Sequence, residues 1–295
     1  MQVFRRAGSV VHICAFSAVV NVALLYAFFF ITDEVIRRLG TFERGIFCVD
    51  PSIQYNMKKS TVTSLQHRVY NISLMVISVF IVEAFRQRTG ASGSVNLSYR
   101  VGSIQVPKYI VTVLTFVGYS QVGYIMNELL VKFVKGFIGR PRPYFWAVCK
   151  PEPIPACESL NPNVYLEPSE YTCTGEADEV HEARKSFYSG HSCVTMYCAF
   201  WTVLYLQARL KPALRNNVVV AILQTLLMTG GLYICCSRIA DNKHHWGDVA
   251  VGIIVGMGFA SFGAKFWSKL FKKVEVGEDA EDYSTTEKDQ EKETV

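Results

Sequence analysis

The chain has 295 residues, half of them hydrophobic and only 19% charged, with a formal net charge of +5. That balance, with a positive mean hydropathy, excludes an ordinary soluble globular domain and fits a protein embedded in a bilayer. The basic residues are scattered over loops and form no basic patch, which argues against nucleic acid as a partner.

A membrane span needs about 20 mostly apolar residues. Six stretches are candidates: 10–31, 69–85, 109–131, 193–210, 218–236 and 249–266. The first follows Arg5 and Arg6 but is longer than a signal-peptide core and lacks a small-residue cleavage site, so it reads as a span. The second is short and ends against Glu83. The third carries Glu128 and Lys132 four residues apart, the order of a helical ion pair. The loop 144–186 is acidic, rich in proline and without periodicity, and reads as an irregular cover. The acidic stretch 275–295 reads as a disordered tail. The chain thus divides into a six-span all-α domain, 1–274, and a cytoplasmic tail. Nothing in it repeats.

Six spans put both termini on one face and the loops after spans one, three and five on the other. Arg86, Arg88, Arg100 and Lys108 follow span two. Arg209, Lys211 and Arg215 follow span four, and Lys265, Lys269, Lys272 and Lys273 close span six. The bias of positive charge toward the cytoplasm puts these loops and the termini inside. Arg37, Arg38, Arg44, Lys58, Lys59 and Arg68 in the first odd loop argue the other way. The sequon asparagines Asn71 and Asn96 fall in a span and in an inner loop, so neither is expected to be glycosylated. Cys14, Cys193, Cys198, Cys235 and Cys236 read as buried small hydrophobes. Cys48, Cys149, Cys157 and Cys173 lie in outer loops, where one or two disulfides would form in an oxidising compartment.

Three clusters on the outer face suit a phosphate. In the first, Lys135 lies at the end of span three. Pro141 and Pro143 stop the helix, and Arg142 offers a planar fork to two oxygens. Arg140 is left out of the site, and interfacial anchoring is the better reading of this cluster when it is taken alone. In the second, Ser189 or Ser192 caps span four. Gly190 lets backbone approach a ligand, and the helix start favours an anion beside His191. In the third, Arg238 closes span five, and His244 and Asp248 stand four apart. An aspartate that fixes one ring nitrogen leaves the other free to attack. His245 lacks that spacing. Zinc is the rival reading of this cluster, weakened by Lys243 and Arg238. Lys135, Arg142 and Arg238 together can neutralise a phosphomonoester without Mg²⁺.

The motifs resemble those of the phosphatidic acid phosphatase type 2 superfamily. Its pattern is Lys, six residues, Arg-Pro; then Ser-Gly-His; then Ser-Arg, five residues, His, three residues, Asp. Lys135 with Arg142-Pro143 and Ser237-Arg238 with His244 and Asp248 fit it. Tyr188 replaces the broad family's proline and matches the lipid phosphate phosphatase branch. The resemblance implies His244 as nucleophile, Asp248 as its partner and His191 as acid, with Lys135, Arg142, Ser189, Gly190 and Arg238 holding phosphate. It also implies metal-free hydrolysis of phosphatidic acid, lysophosphatidic acid, ceramide-1-phosphate or sphingosine-1-phosphate. That activity, without cofactor, is expected at the plasma membrane with the site extracellular or lumenal. The sequence leaves homo-oligomer formation open. A transporter with a phosphate-binding mouth, a phosphotransferase and a binding scaffold are the rival readings.

Overall fold

In a bilayer the backbone must satisfy its own hydrogen bonds, and the apolar stretches do so as helix. The computed structural model describes residues 10–12, 15–91, 98–152, 164–214 and 216–271; Cys14, Asn96, Cys157, Arg215 and the acidic tail lie outside them. Strand β1 (Val10–His12) precedes helix α1 (Ala15–Leu39), and β2 (Ile46–Phe47) precedes α2 (Ser64–Arg88). Strands β3 (Ser98–Val101) and β4 (Ile104–Val106) form a hairpin with β1 parallel on β3. Then come α3 (Lys108–Ile138), α4 (Phe145–Cys149), β5 (Pro151–Glu152), β6 (Tyr165–Leu166), β7 (Thr172–Cys173) and α5 (Ala177–Ala183). The chain closes with α6 (Gly190–Tyr205), α7 (Lys211–Leu214), α8 (Asn217–Ala240) and α9 (Trp246–Phe262).

Four described helical runs are long and apolar enough to cross a membrane: Ser64–Arg88, Lys108–Ile138, Asn217–Ala240 and Trp246–Trp267. Their outer faces carry exposed large apolar side chains such as Leu114, Leu226 and Ile254, as a lipid-facing surface requires. The protein is therefore a mostly helical integral membrane protein. Helix α6 is its axis, buried along most of its length and packed on α2, α3, α8 and α9. Glycine makes this approach close. A Cβ at Gly252 of α9 would lie 2.7 Å from the Ser189 carbonyl oxygen, and one at Gly256 would strike the Cys193 carbonyl. After Tyr205 the helix continues through a π-helical turn, Leu206–Leu210, into α7.

Two charge expectations change. The stretch that looked short at Glu83 is a full helix, with a capping box of Thr63 and Gln66 at its start. Glu83 is tolerated because Arg209 grips it with two nitrogens at 2.8 and 2.9 Å while the Tyr205 hydroxyl donates at 2.8 Å. A buried charge is sustained by such pairing. Lys132 does not make its close contact with Glu128; it reaches across to Asp33 of α1 at 2.6 Å. Asn71 is buried in α2, where its amide donates to the His67 carbonyl and to Thr195.

In its described residues, 144–152 and 164–186, the large loop is built of short helices and strands. Its helices α4 and α5 join β2 and β6 around a separate small core that includes Ile46, Phe145, Cys149, Leu166 and Val180. Cys149 and Cys173 form a disulfide across β5 and β7, and Cys48 is disulfide-bonded as well. Cys193, Cys198 and Cys235 are free and buried, as expected, whereas Cys236 is free and exposed. The Cys149–Cys173 link closes a stretch of 24 residues, for which loop entropy gives about 3 kcal/mol. Replacing both cysteines with serine is expected to lower the Tm of the purified protein, read in a non-reducing thermal melt.

Candidate active site

The end of α3 and the starts of α6 and α9 come together at the site. Helix α3 stops at Gly139, whose φ of +59° and close contact with the Phe42 carbonyl demand glycine. The chain then turns through Arg140 to Pro143, pinned where Arg142 N–H donates to the Ala183 carbonyl and Ser186 N–H to the Arg140 carbonyl. Ser189 caps α6, its Oγ accepting from Ser192 N–H. Its own N–H donates to the Asp248 carbonyl at 3.0 Å, which joins the starts of α6 and α9.

A cavity of about 770 Å³ opens there. Lys135, Arg142, Gly190, His191, Arg238 and His244 all line it. Three stretches far apart in sequence therefore share one chamber. Ser189 and Asp248 stand behind its wall, both fully buried. Arg142 is aimed by Tyr144 and Glu182, at 3.2 and 3.3 Å. Arg238 is 2% exposed and is held by Asp241 at 3.0 Å. Asp241 in turn accepts twice from Thr61, each at 2.7 Å. Lys135 donates to the Lys185 carbonyl at 2.9 Å. Lys243, buried over the Tyr144 ring, adds a further cation, which burial and Arg142 make easier to deprotonate. Among the described residues no group of three or more potential metal ligands comes together.

The expected direct pairing of His244 with Asp248 is corrected. His244 Nδ1 is 4.0 Å from the carboxylate. Helical spacing does not apply to it, because α9 begins at Trp246 and His245 is the cap. Asp248 instead accepts from His245 N–H and lies 3.1 Å from His245 Nδ1. It also accepts from Arg140 at 2.6 Å and from the Ser186 hydroxyl at 2.5 Å. Ser186 Oγ is in turn 3.5 Å from His244 Nδ1. The carboxylate thus reaches the His244 ring through a serine, and its direct partners include His245, set aside on spacing, and Arg140, left out of the expected site. Burial, then Lys135, Arg142 and His191, hold the His244 pKa well below 6.5, against a hydrogen bond with the Ser186 backbone. The ring is neutral at physiological pH, the form that can attack.

One further residue gave no signal in any motif. His67, on the first turn of α2, lines the cavity and lies 4.2 Å from His191 between ring centroids. A histidine at the start of an apolar helix was the only clue to it.

Fold and site together define a helical membrane phosphatase. The family model described as the PAP2 superfamily matches residues 116–272. The chain is 45% identical over 251 residues to Phospholipid phosphatase homolog 1.2 homolog of Caenorhabditis elegans, covering 84% of this chain and 73% of that protein. It is 35% identical to mouse Phospholipid phosphatase 1 over 78% of this chain and 77% of the other. With human Phospholipid phosphatase 2 the identity is 34%, over 78% and 75%. No solved structure matches. The chain belongs to the PAP2 superfamily.

Proposed function

We propose that the protein hydrolyses lipid phosphomonoesters through a phosphohistidine, without a metal ion. The observation that carries this reading is the shared cavity of His191, His244 and the cations Lys135, Arg142 and Arg238. His244 Nδ1 faces Ser186, so Nε2 is the nitrogen left to attack phosphorus. As the N–P bond forms, the phosphorus–oxygen bond to the lipid breaks and His191 protonates the departing alkoxide. The Nε2 atom of His191 has no hydrogen-bond partner among the described residues, which suits a group that serves the substrate. Neutral His191 then takes a proton from water, the hydroxyl oxygen attacks phosphorus, and the N–P electron pair returns to His244. The three cations, with the start of α6 at Gly190, balance the charge of the five-coordinate state. Ser189 holds that helix start in place, and Asp248 orients His244 through Ser186.

The relatives named phospholipid phosphatase and putative phosphatidate phosphatase support a phospholipid such as phosphatidic acid as substrate, and the proposal extends to its lyso, ceramide and sphingoid counterparts because they carry the same phosphomonoester. Six spans follow if α1 and the run from α6 through α7 cross beside the four long apolar helices. The Cys149–Cys173 disulfide on the site's side favours a site facing the lumen or exterior, with cytoplasmic termini; residence in the plasma membrane is the further part of this proposal. Purified protein given phosphatidic acid in excess EDTA is expected to release inorganic phosphate at the rate seen with Mg²⁺. Loss of activity on chelation, restored by a divalent ion, would overturn the metal-free reading. Transport of phosphate without ester cleavage would favour a carrier.

A further inference from the structure

Besides His191 and His244 the cavity is lined by His181 and by His67, an imidazole that the proposed chemistry leaves without a role. His67 is 3% exposed and belongs to α2, which carries none of the three phosphate motifs. Its ring lies over that of His191 with centroids 4.2 Å apart and planes tilted by 33°. Its Nε2 is 3.2 Å from the His191 backbone oxygen. A carbonyl oxygen only accepts, so the proton of neutral His67 sits on Nε2 and the basic nitrogen is Nδ1. The contact also ties the start of α2 to the start of α6.

Two imidazolium rings at this separation repel strongly. The surroundings add to that penalty. Arg68 on the same helix, Arg238 from α8, Lys135 and Lys132 from α3, and Arg37, Arg142, Lys185 and Lys243 line the same cavity, with the His244 and His181 rings. The carboxylates on this cavity belong to Asp33, Glu128 and Glu182. The pair therefore holds at most one proton, and a phosphate dianion bound beside it favours that charged form.

We propose that His67 is a positioning residue that holds the ring of His191 and shares its single proton, thereby setting the alkaline limit of turnover. This rests on the reading of His191 as the leaving-group acid. Two basic nitrogens competing for one proton keep the pair charged to a higher pH than His191 alone. The rate on an alkyl phosphate then stays level over a wider span of pH.

The test is kcat against pH for the purified full-length protein acting on an alkyl phosphomonoester. His67→Phe keeps a ring against His191 but does not titrate, and His67→Gln keeps an N–H donor but does not titrate. In both, the alkaline limb, scaled to each variant's own maximum, is expected to move to lower pH by about half a unit or more. Inhibition by vanadate is expected to stay as in the wild type, which reports an intact phosphate pocket. An unmoved limb in both variants overturns the proposal, and so does a shift in only one, since titration is what both have lost. The parent reading is tested separately by His191→Ala on nitrophenyl phosphate, whose leaving group needs no proton. If that variant slows the first release of nitrophenolate as much as it slows the alkyl ester, the acid assignment fails, whatever His67 does.

Discussion

His244→Ala is expected to reduce phosphate release by on the order of 10⁴-fold or more, as removal of a nucleophile does elsewhere. Its side chain is 3% exposed and sits where the cations Lys135 and Arg142 bear on it. Those cations and burial keep the ring neutral well below pH 6.5. The sign follows: attack needs the unprotonated ring, a lowered pKa keeps it unprotonated, and activity persists into mildly acidic solution until that lower pKa is reached. Alanine removes the attacking nitrogen but leaves Lys135, Arg142 and Arg238 in place, so vanadate is expected still to bind. Phosphate release from His244→Ala at the wild-type rate would end the assignment.

His191→Ala is expected to lower turnover of an alkyl phosphate by about 10²–10⁴-fold, the range of a lost general acid and base. The loss should fall on both steps, because the same ring protonates the alkoxide and later activates water. Rapid-quench kinetics separate them: whatever phosphoenzyme forms in this variant should persist. The ring is also set by its neighbours. His67 covers one face, and Ser189 fixes the first turn of α6 on which His191 stands. Rapid decay of the phosphoenzyme at the wild-type rate would remove His191 from the second step.

Much of this site was legible in the sequence because its chemistry sits where helices start and stop. Lys135 before a Gly-Arg-Pro break, Ser189-Gly190-His191 before an apolar run and Arg238 at the end of another are local signals, and parity of spans brings them to one face. Of these residues Lys135, Gly190, His191 and Arg238 line the cavity, whereas Ser189 lies behind its wall. What local spacing cannot give is the path of contacts between segments. Asp248 was matched to His244 by the four-residue rule, which holds only inside a helix, whereas the start of α9 makes His245 its direct partner and leaves His244 to Ser186. His67 meets His191 across 124 positions, a contact set by the packing of α2 on α6. The core of the large loop was hidden for a related reason. Its strands are two residues long and pair with partners elsewhere, such as Ile46 with Leu166, so no period could build up.

The account stands on a covalent bond between phosphorus and one imidazole nitrogen. The direct measurement is to mix the protein with a radiolabelled lipid phosphomonoester, quench in alkali within milliseconds and map the label by peptide mass. The expected result is an alkali-stable, acid-labile phosphate on His244, present in the wild type and more persistent in His191→Ala. Label on His191 or His67, or full turnover with no covalent phosphate in either protein, would contradict it.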